Sequence, residues 1–322
     1  MAHEIMGNAF YSLRKPAWHD LGIVGQEEQN ILDVAEIVGI PEIFQKPVFD
    51  FLGNPIDNTM AIHATFPATQ QTLTYGIVSD NRYFLSSHKD VLSIAYDVVK
   101  DAPVETMGLL YDGREMFLLL KLPEFKVVGD ALRPYLLLVN PLDGRKAIRA
   151  RYCCTRVVCD NTKNIALGEK TEYKIALRHG KNHQEKLRAW LANAWLSKDE
   201  AIIFMTEFYT KLYDTPMSNN QRLKILEKVY PNPDEIDEKA SDSELAAYIA
   251  GKDKAREDRQ NVLTILSKSP TLTSDMRGNA YGLLESIVEY EDYSRPYRRA
   301  ISSVFGAASE RKEQAALLLH YL

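Results

Sequence analysis

Cysteine is scarce in this sequence: three in 322 residues, at Cys153, Cys154 and Cys159. Two of the three adjoin, which makes no disulfide framework, so a reducing compartment is expected. Together with His179 and His183 they are the residue types of a zinc site. The spacing C-C-x4-C, however, is not the C-x2-C knuckle that lets two thiolates share one tetrahedral ion. On a strand Cys153 and Cys154 face opposite ways, so buried structural cysteines are the reading preferred. Long apolar runs are absent too. No stretch of eighteen apolar residues occurs, so no membrane span is expected. The first twenty residues lack the apolar core of a secretory signal, and a cytoplasmic protein is expected. Neither a Walker loop nor GxGxxG is present, which removes the foothold for nucleotide chemistry. His19, His63 and His88 are single general-base candidates, but no Ser or Cys nucleophile pairs visibly with a histidine. Carboxylates abound without a spacing that makes a metal-binding pair. No catalytic residue, metal or cofactor is therefore assigned.

What the chain has is apolar content and segregated charge. At 45% apolar it can bury a large core, and its length suits two domains or one domain with an extension. The net charge is −5, yet Arg145–Arg188 holds twelve Lys and Arg against four Asp and Glu. That local +8 leaves −13 for the remainder, and a basic surface of this size suits a polyanion.

In chain order, Ile31–Val38 has helical spacing and is stopped by Gly39 and Pro41. Short strands are expected between Pro47 and Phe66. Three hairpins follow: Thr72–Val78 with Arg82–Ser86 around Ser79-Asp80-Asn81, Val104–Tyr111 with Glu115–Leu122 around Asp112-Gly113, and Tyr135–Asn140 with Ala147–Val158 around Asp143-Gly144. Asp-Gly and Asp-Asn tolerate the positive φ that tight loops need. The likeness of Gly76–Arg82 to Gly108–Arg114 is put down to shared turn chemistry rather than to a repeat. Lys89–Lys100 reads as a helix and Glu172–Leu177 as a strand. Asn182 to about Tyr213 reads as one long helix, and Asn219–Val229 as a shorter one ended by Tyr230-Pro231. Asp234–Glu244 is acidic and exposed in this reading, and helical spacing resumes to the C-terminus. The expected fold is α+β, an antiparallel hairpin sheet with packed helices over residues 1–215, followed by a helical region over 216–322.

Within the basic stretch Arg149 and Arg151 share one strand face, with Arg156 on the opposite parity. Arginines on a strand fork onto phosphates, and Tyr152, Tyr173 and Trp190 are candidates for stacking on bases. The start of the following helix adds Lys181, Asn182 and His183 as anion contacts. The competing reading is a solvated basic face paired with the acidic remainder of the chain.

Several motifs carry a resemblance. Met1-Ala2-His3-Glu4, Trp18-His19-Asp20-Leu21-Gly22, Arg156-Val157-Val158-Cys159-Asp160-Asn161-Thr162, Leu177-Arg178-His179, and Gly278-Asn279-Ala280-Tyr281-Gly282 to Glu289-Tyr290 together resemble a phage/plasmid-like family, domain of unknown function 932. The resemblance spans nearly the whole chain. Where many relatives have Thr after the Arg-His pair this chain has Gly180, so no hydroxyl role is expected there. The family brings no established activity; its phage and plasmid setting implies DNA metabolism in a bacterial host cell. A more distant architectural analogy is to phage single-strand annealing proteins, which also lay a helix across an antiparallel sheet and line a groove with basic residues.

Two functions of different class follow. The first is a single-stranded DNA-binding, strand-annealing protein that works as a homo-oligomer without a nucleophile. Its phosphate contacts would be Arg149, Arg151, Arg156, Lys163, Lys174, Arg178 and Lys181, with Tyr152 or Tyr173 stacking on bases. The second is a phage or plasmid interaction protein that inhibits a host nuclease or defence system. It would do so through acidic surfaces at Asp234–Glu244 and Glu285 to Asp292. A metal-dependent nuclease would need converging carboxylates, which the spacing does not provide.

Overall fold

The computed structural model describes residues 5–13, 22–100, 102–156, 162–164, 173–237, 241–295 and 306–322. Its strands are β1 (Ile5–Ser12), β2 (Ile23–Val24), β3 (Glu42–Phe49), β4 (Pro55–Thr65), β5 (Thr72–Ser79), β6 (Val104–Leu110), β7 (Glu115–Lys121), β8 (Phe125–Val127), β9 (Asp130–Pro141), β10 (Ile148–Arg156), β11 (Thr162–Asn164) and β12 (Lys174–Leu177). Its helices are α1 (Ile31–Val38), α2 (His88–Val99), α3 (His183–Leu196), α4 (Lys198–Tyr213), α5 (Asn219–Val229), α6 (Asp242–Lys268), α7 (Ala280–Glu289) and α8 (Ala307–His320). The class is α+β, and the C-terminal part is helical.

The chain divides into two compact units. One comprises the described parts of 1–123, 133–153 and 169–201, the other those of 124–132, 154–168 and 202–322. Two strand-bearing segments and α4 from Ile202 onward belong with the C-terminal helices in the second unit. Part of the reason is a specific contact: the Tyr281 hydroxyl on α7 donates to Asp130 at 2.5 Å, which ties the β8–β9 turn to the helices.

In the first unit the strands run in the order β10-β9-β7-β6-β1-β2, with β12 also paired to β10. The β6–β7 turn is as expected. Tyr111, Asp112 and Gly113 take φ of 53, 57 and 83° in succession, which puts the chain in the left-handed region that only Gly adopts without cost. A Cβ on Gly113 would stand 2.5 Å from the Tyr75 hydroxyl. Leu118 pairs with Leu138 and Phe117 with Val139; the two pairs lie on opposite faces and all four residues are buried, as strands covered on both faces require. The β9–β10 hairpin also forms, around Gly144 with φ 73°.

The first expected hairpin does not form. β5 pairs instead with β4, Ala61 opposite Ile77, in a separate sheet of order β3-β4-β5. After Ser79 the chain makes a tight turn, with the amides of Arg82 and Tyr83 on the Ser79 carbonyl. The Phe84 amide then donates to the His179 carbonyl at 2.8 Å rather than to a hairpin partner.

Capping explains the helix starts. Asn30 Oδ1 accepts from the amides of Leu32 and Asp33 ahead of α1. Ser87 with Asp90, Ser218 with Gln221 and Ser241 with Glu244 form reciprocal capping boxes on α2, α5 and α6. The single long helix expected over 182–213 is two helices that meet at Ser197. There the hydroxyl donates to the Asn193 carbonyl at 2.8 Å and the backbone carbonyl starts α4 by accepting from Ala201.

The second unit packs Met205, Phe208, Leu226, Val262, Leu283 and Ile287 as its core. A charged network runs through it. Arg295 bonds Asp258 at 2.8 Å and Glu291 at 2.7 Å, Arg311 grips both oxygens of Glu291, and Lys312 pairs with Asp292 at 2.7 Å. Glu285, Glu291 and Asp292 are all buried. The acidic surface expected over Glu285 to Asp292 is therefore corrected: Glu285, Glu291 and Asp292 are internal, with Glu291 and Asp292 held there by Arg295, Arg311 and Lys312. Asp234–Asp237 and Asp242–Glu244 are exposed, as expected of that segment.

Candidate functional site

The basic candidates converge on β10 and β12. The strands pair antiparallel with Ile148 opposite Leu177, Arg149 opposite Ala176, Ala150 opposite Ile175 and Arg151 opposite Lys174. Ile148, Ala150 and Tyr152 are buried, so the alternation sends Arg149, Arg151 and Lys174 to the other face. Lys174 is exposed there, while Arg149 and Arg151 are half-buried. Arg178 and Lys181 continue past the end of β12 and are exposed. Two like charges, Arg151 and Lys174, thus stand directly opposite each other across the ladder.

Tyr152 is a correction. It is 1% exposed, and its hydroxyl donates to the Ala194 carbonyl on α3. Burial pushes its hydroxyl pKa up. A ring enclosed in this way has no face to offer a base. Tyr173 is half-buried and meets Tyr152 edge-on, with centroids 6.1 Å apart. Trp190 is buried on α3. The side chains of Arg156 and Lys163, and the stretch Val157–Asn161 with Cys159, lie outside the described residues. Cys153 and Cys154 are both buried, and Cys154 Sγ lies 3.3 Å from the Tyr209 hydroxyl.

A second constellation escaped the sequence because its members lie far apart along the chain. Ser86, on the segment before α2, is 2.5 Å from His183 Nε2 across 97 positions. His183 Nδ1 is 2.6 Å from the Gly180 carbonyl. A carbonyl only accepts, so Nδ1 carries the proton and Nε2 is left to accept from the Ser86 hydroxyl. Gln184 Nε2 donates to Ser86 Oγ at 2.6 Å. The same logic fixes two neighbouring rings: His88 Nε2 donates to the Gly113 carbonyl at 2.8 Å and His179 Nε2 to the Pro141 carbonyl at 2.9 Å. Asn140 Nδ2 bridges the Ser86 carbonyl and His88 Nδ1, both at 3.2 Å. Burial lowers the pKa of His88 and of His179 to about 4, so both rings are neutral. Tyr83 stacks on His179 at 4.6 Å, and burial raises its hydroxyl pKa. His183 and His88 carried no spacing signal. His88 stood out only as a single general-base candidate and His179 within Leu177-Arg178-His179, and the sequence did not show their meeting.

Among the described residues no group of three or more His, Cys, Asp or Glu is arranged to hold a metal ion. No helix among them is long and apolar enough to cross a membrane.

The class defined by these observations is an α+β protein with a basic strand face and a buried Ser–His–Asn network. The chain matches the family described as Domain of unknown function (DUF932) over residues 75–317, and it belongs to that family. The match takes in the segment before α2, the basic strands and the C-terminal helices. No curated protein and no solved structure matches the chain.

Proposed function

We propose that this chain is a phage- or plasmid-encoded single-stranded DNA-binding protein that anneals complementary strands, working as a homo-oligomer in the cytoplasm of its bacterial host. The observation that supports the reading is the β10–β12 register, which gathers Arg149, Arg151 and Lys174 on one face with Arg178 and Lys181 just beyond it. Arginine and lysine on an extended strand recur at about 6.6 Å, twice the rise per residue, close to the spacing of successive phosphates in an extended single strand. Binding of this kind reads backbone charge and not sequence, and annealing then needs only strands held apart and extended. Tyr173 is the remaining candidate for stacking, since Tyr152 is enclosed.

The test is binding of the purified protein to labelled single-stranded and double-stranded DNA across a salt series, with annealing followed in parallel. Salt-sensitive single-strand binding and accelerated annealing are expected. The Arg149→Ala/Arg151→Ala/Lys174→Ala variant should flatten the slope of log K against log salt by about 2, at roughly 0.7 for each phosphate that is no longer neutralised. No binding at low salt would overturn the reading and return attention to the exposed acidic residues of Asp234–Asp237 and Asp242–Glu244.

A further inference from the structure

We propose that Ser86 and His183 form a serine–histidine dyad able to cleave small carboxylic esters, an activity separate from strand binding. The geometry is that of a nucleophile, its base and the group that orients the base: Ser86 Oγ 2.5 Å from His183 Nε2, with His183 Nδ1 held 2.6 Å from the Gly180 carbonyl. The carbonyl fixes the tautomer, so the lone pair on Nε2 faces the hydroxyl that must lose its proton.

Both residues stand at helix starts. Ser86 immediately precedes Ser87, the N-cap of α2, and His183 is the first residue of α3. The first-turn amides of His88 and Lys89, which a helix leaves without an intrahelical acceptor, are the nearest oxyanion donors along the chain. Asn140 holds the Ser86 backbone, and His88 holds Asn140.

Ser86 is itself fully buried, and the side chain laid on its hydroxyl is Gln184, an exposed residue. On this proposal Gln184 swings aside to admit the substrate, and a hydroxyl this deeply buried restricts it to a small ester. In the reaction Ser86 Oγ attacks the ester carbonyl carbon while its proton passes to His183 Nε2. The C–O bond to the alcohol breaks, and the alcohol leaves with that proton. Water then gives a proton to Nε2 as its oxygen attacks the acyl carbon; the acyl–Oγ bond breaks, the Nε2 proton passes to Oγ, and the carboxylic acid leaves with Ser86 and His183 restored.

The test uses the full chain with a fluorophosphonate probe and p-nitrophenyl acetate, with peptide mapping by mass spectrometry. A single adduct on Ser86 is expected. Gln184→Ala should speed its formation at least tenfold, and His183→Ala should slow it about a hundredfold while the circular dichroism stays native. Ester hydrolysis should follow the same order. No Ser86 adduct in either the wild type or Gln184→Ala would overturn the proposal, as would an adduct formed equally fast in His183→Ala. Gln184→Ala leaves both dyad residues in place, so the test does not depend on Ser86→Ala folding. DNA binding is measured on the same samples and is expected to be unchanged in Gln184→Ala.

Discussion

Removing the carboxylate of Asp292 should be among the most damaging single changes to this protein. Its partner Lys312 is 1% exposed, and the ammonium lies 2.7 Å from Asp292 Oδ1. Taking this carboxylate from a buried ammonium breaks a buried ion pair, for which the expected cost is about 3–5 kcal/mol. Arg188 and Asp97 provide an internal control. They pair at 2.9 Å, nearly the same distance, but each side chain is 50% exposed. Water and salt screen that pair, so Asp97→Ala should cost less than about 1 kcal/mol. Urea titrations at pH 7, followed by circular dichroism and fluorescence, would compare the two variants with the wild type. Replacing both members, Asp292→Leu with Lys312→Met, should recover most of the loss, because the double change leaves no charge behind. Equal effects of Asp292→Ala and Asp97→Ala, or an Asp292→Ala loss below about 1 kcal/mol, would refute the argument that burial sets the cost.

Three further outcomes are expected. His88 and His179 are pushed from 6.5 to about 4 by burial, so the unfolded chain takes up protons that the folded one refuses. The stability these rings contribute is complete above about pH 7 and is lost as pH falls through 6.5 toward 4, by about 3 kcal/mol for each ring; urea midpoints that stay level from pH 7 to 5 would contradict this. Gly282→Ala would place a Cβ 1.9 Å from the Met276 carbonyl oxygen. Backbone must move to admit it, so a loss of about 3 kcal/mol or more is expected, read as a fall in melting temperature. Tyr152→Phe should cost about 1–3 kcal/mol by leaving the Ala194 carbonyl unsatisfied while single-strand affinity stays within about twofold. A large affinity loss without a stability loss would restore Tyr152 as a stacking residue.

The parts of the fold legible in the sequence are those set by local rules. Gly39 ends α1 as the helical spacing of Ile31–Val38 predicts, and Asp112-Gly113 and Asp143-Gly144 turn where their tolerance of positive φ predicts. Pairing between distant segments was not legible. Ser79-Asp80-Asn81 has the chemistry of a hairpin turn, yet β5 takes β4 as its partner, since nothing in a turn dictates which neighbour a strand prefers. Ser197 looks like an ordinary helical residue until its hydroxyl is seen on the Asn193 carbonyl. Of the candidate site, strand parity groups Arg149 with Arg151, and the register adds Lys174 directly opposite. The same parity points Tyr152 away from them, which is why a tyrosine next to Arg151 in sequence is enclosed rather than available for stacking. Ser86 and His183 meet across 97 positions, beyond the reach of any spacing rule.

The alternation along β10 also makes this segment unequal in the kinds of change it tolerates. A substitution at Arg149 or Arg151 leaves the alternation intact and keeps Ile148, Ala150 and Tyr152 facing the interior. A one-residue insertion or deletion between Ile148 and Tyr152 would instead reverse the two faces together, turning arginines into the interior and a tyrosine outward. Natural variation in this stretch should therefore be rich in substitutions and almost empty of length changes.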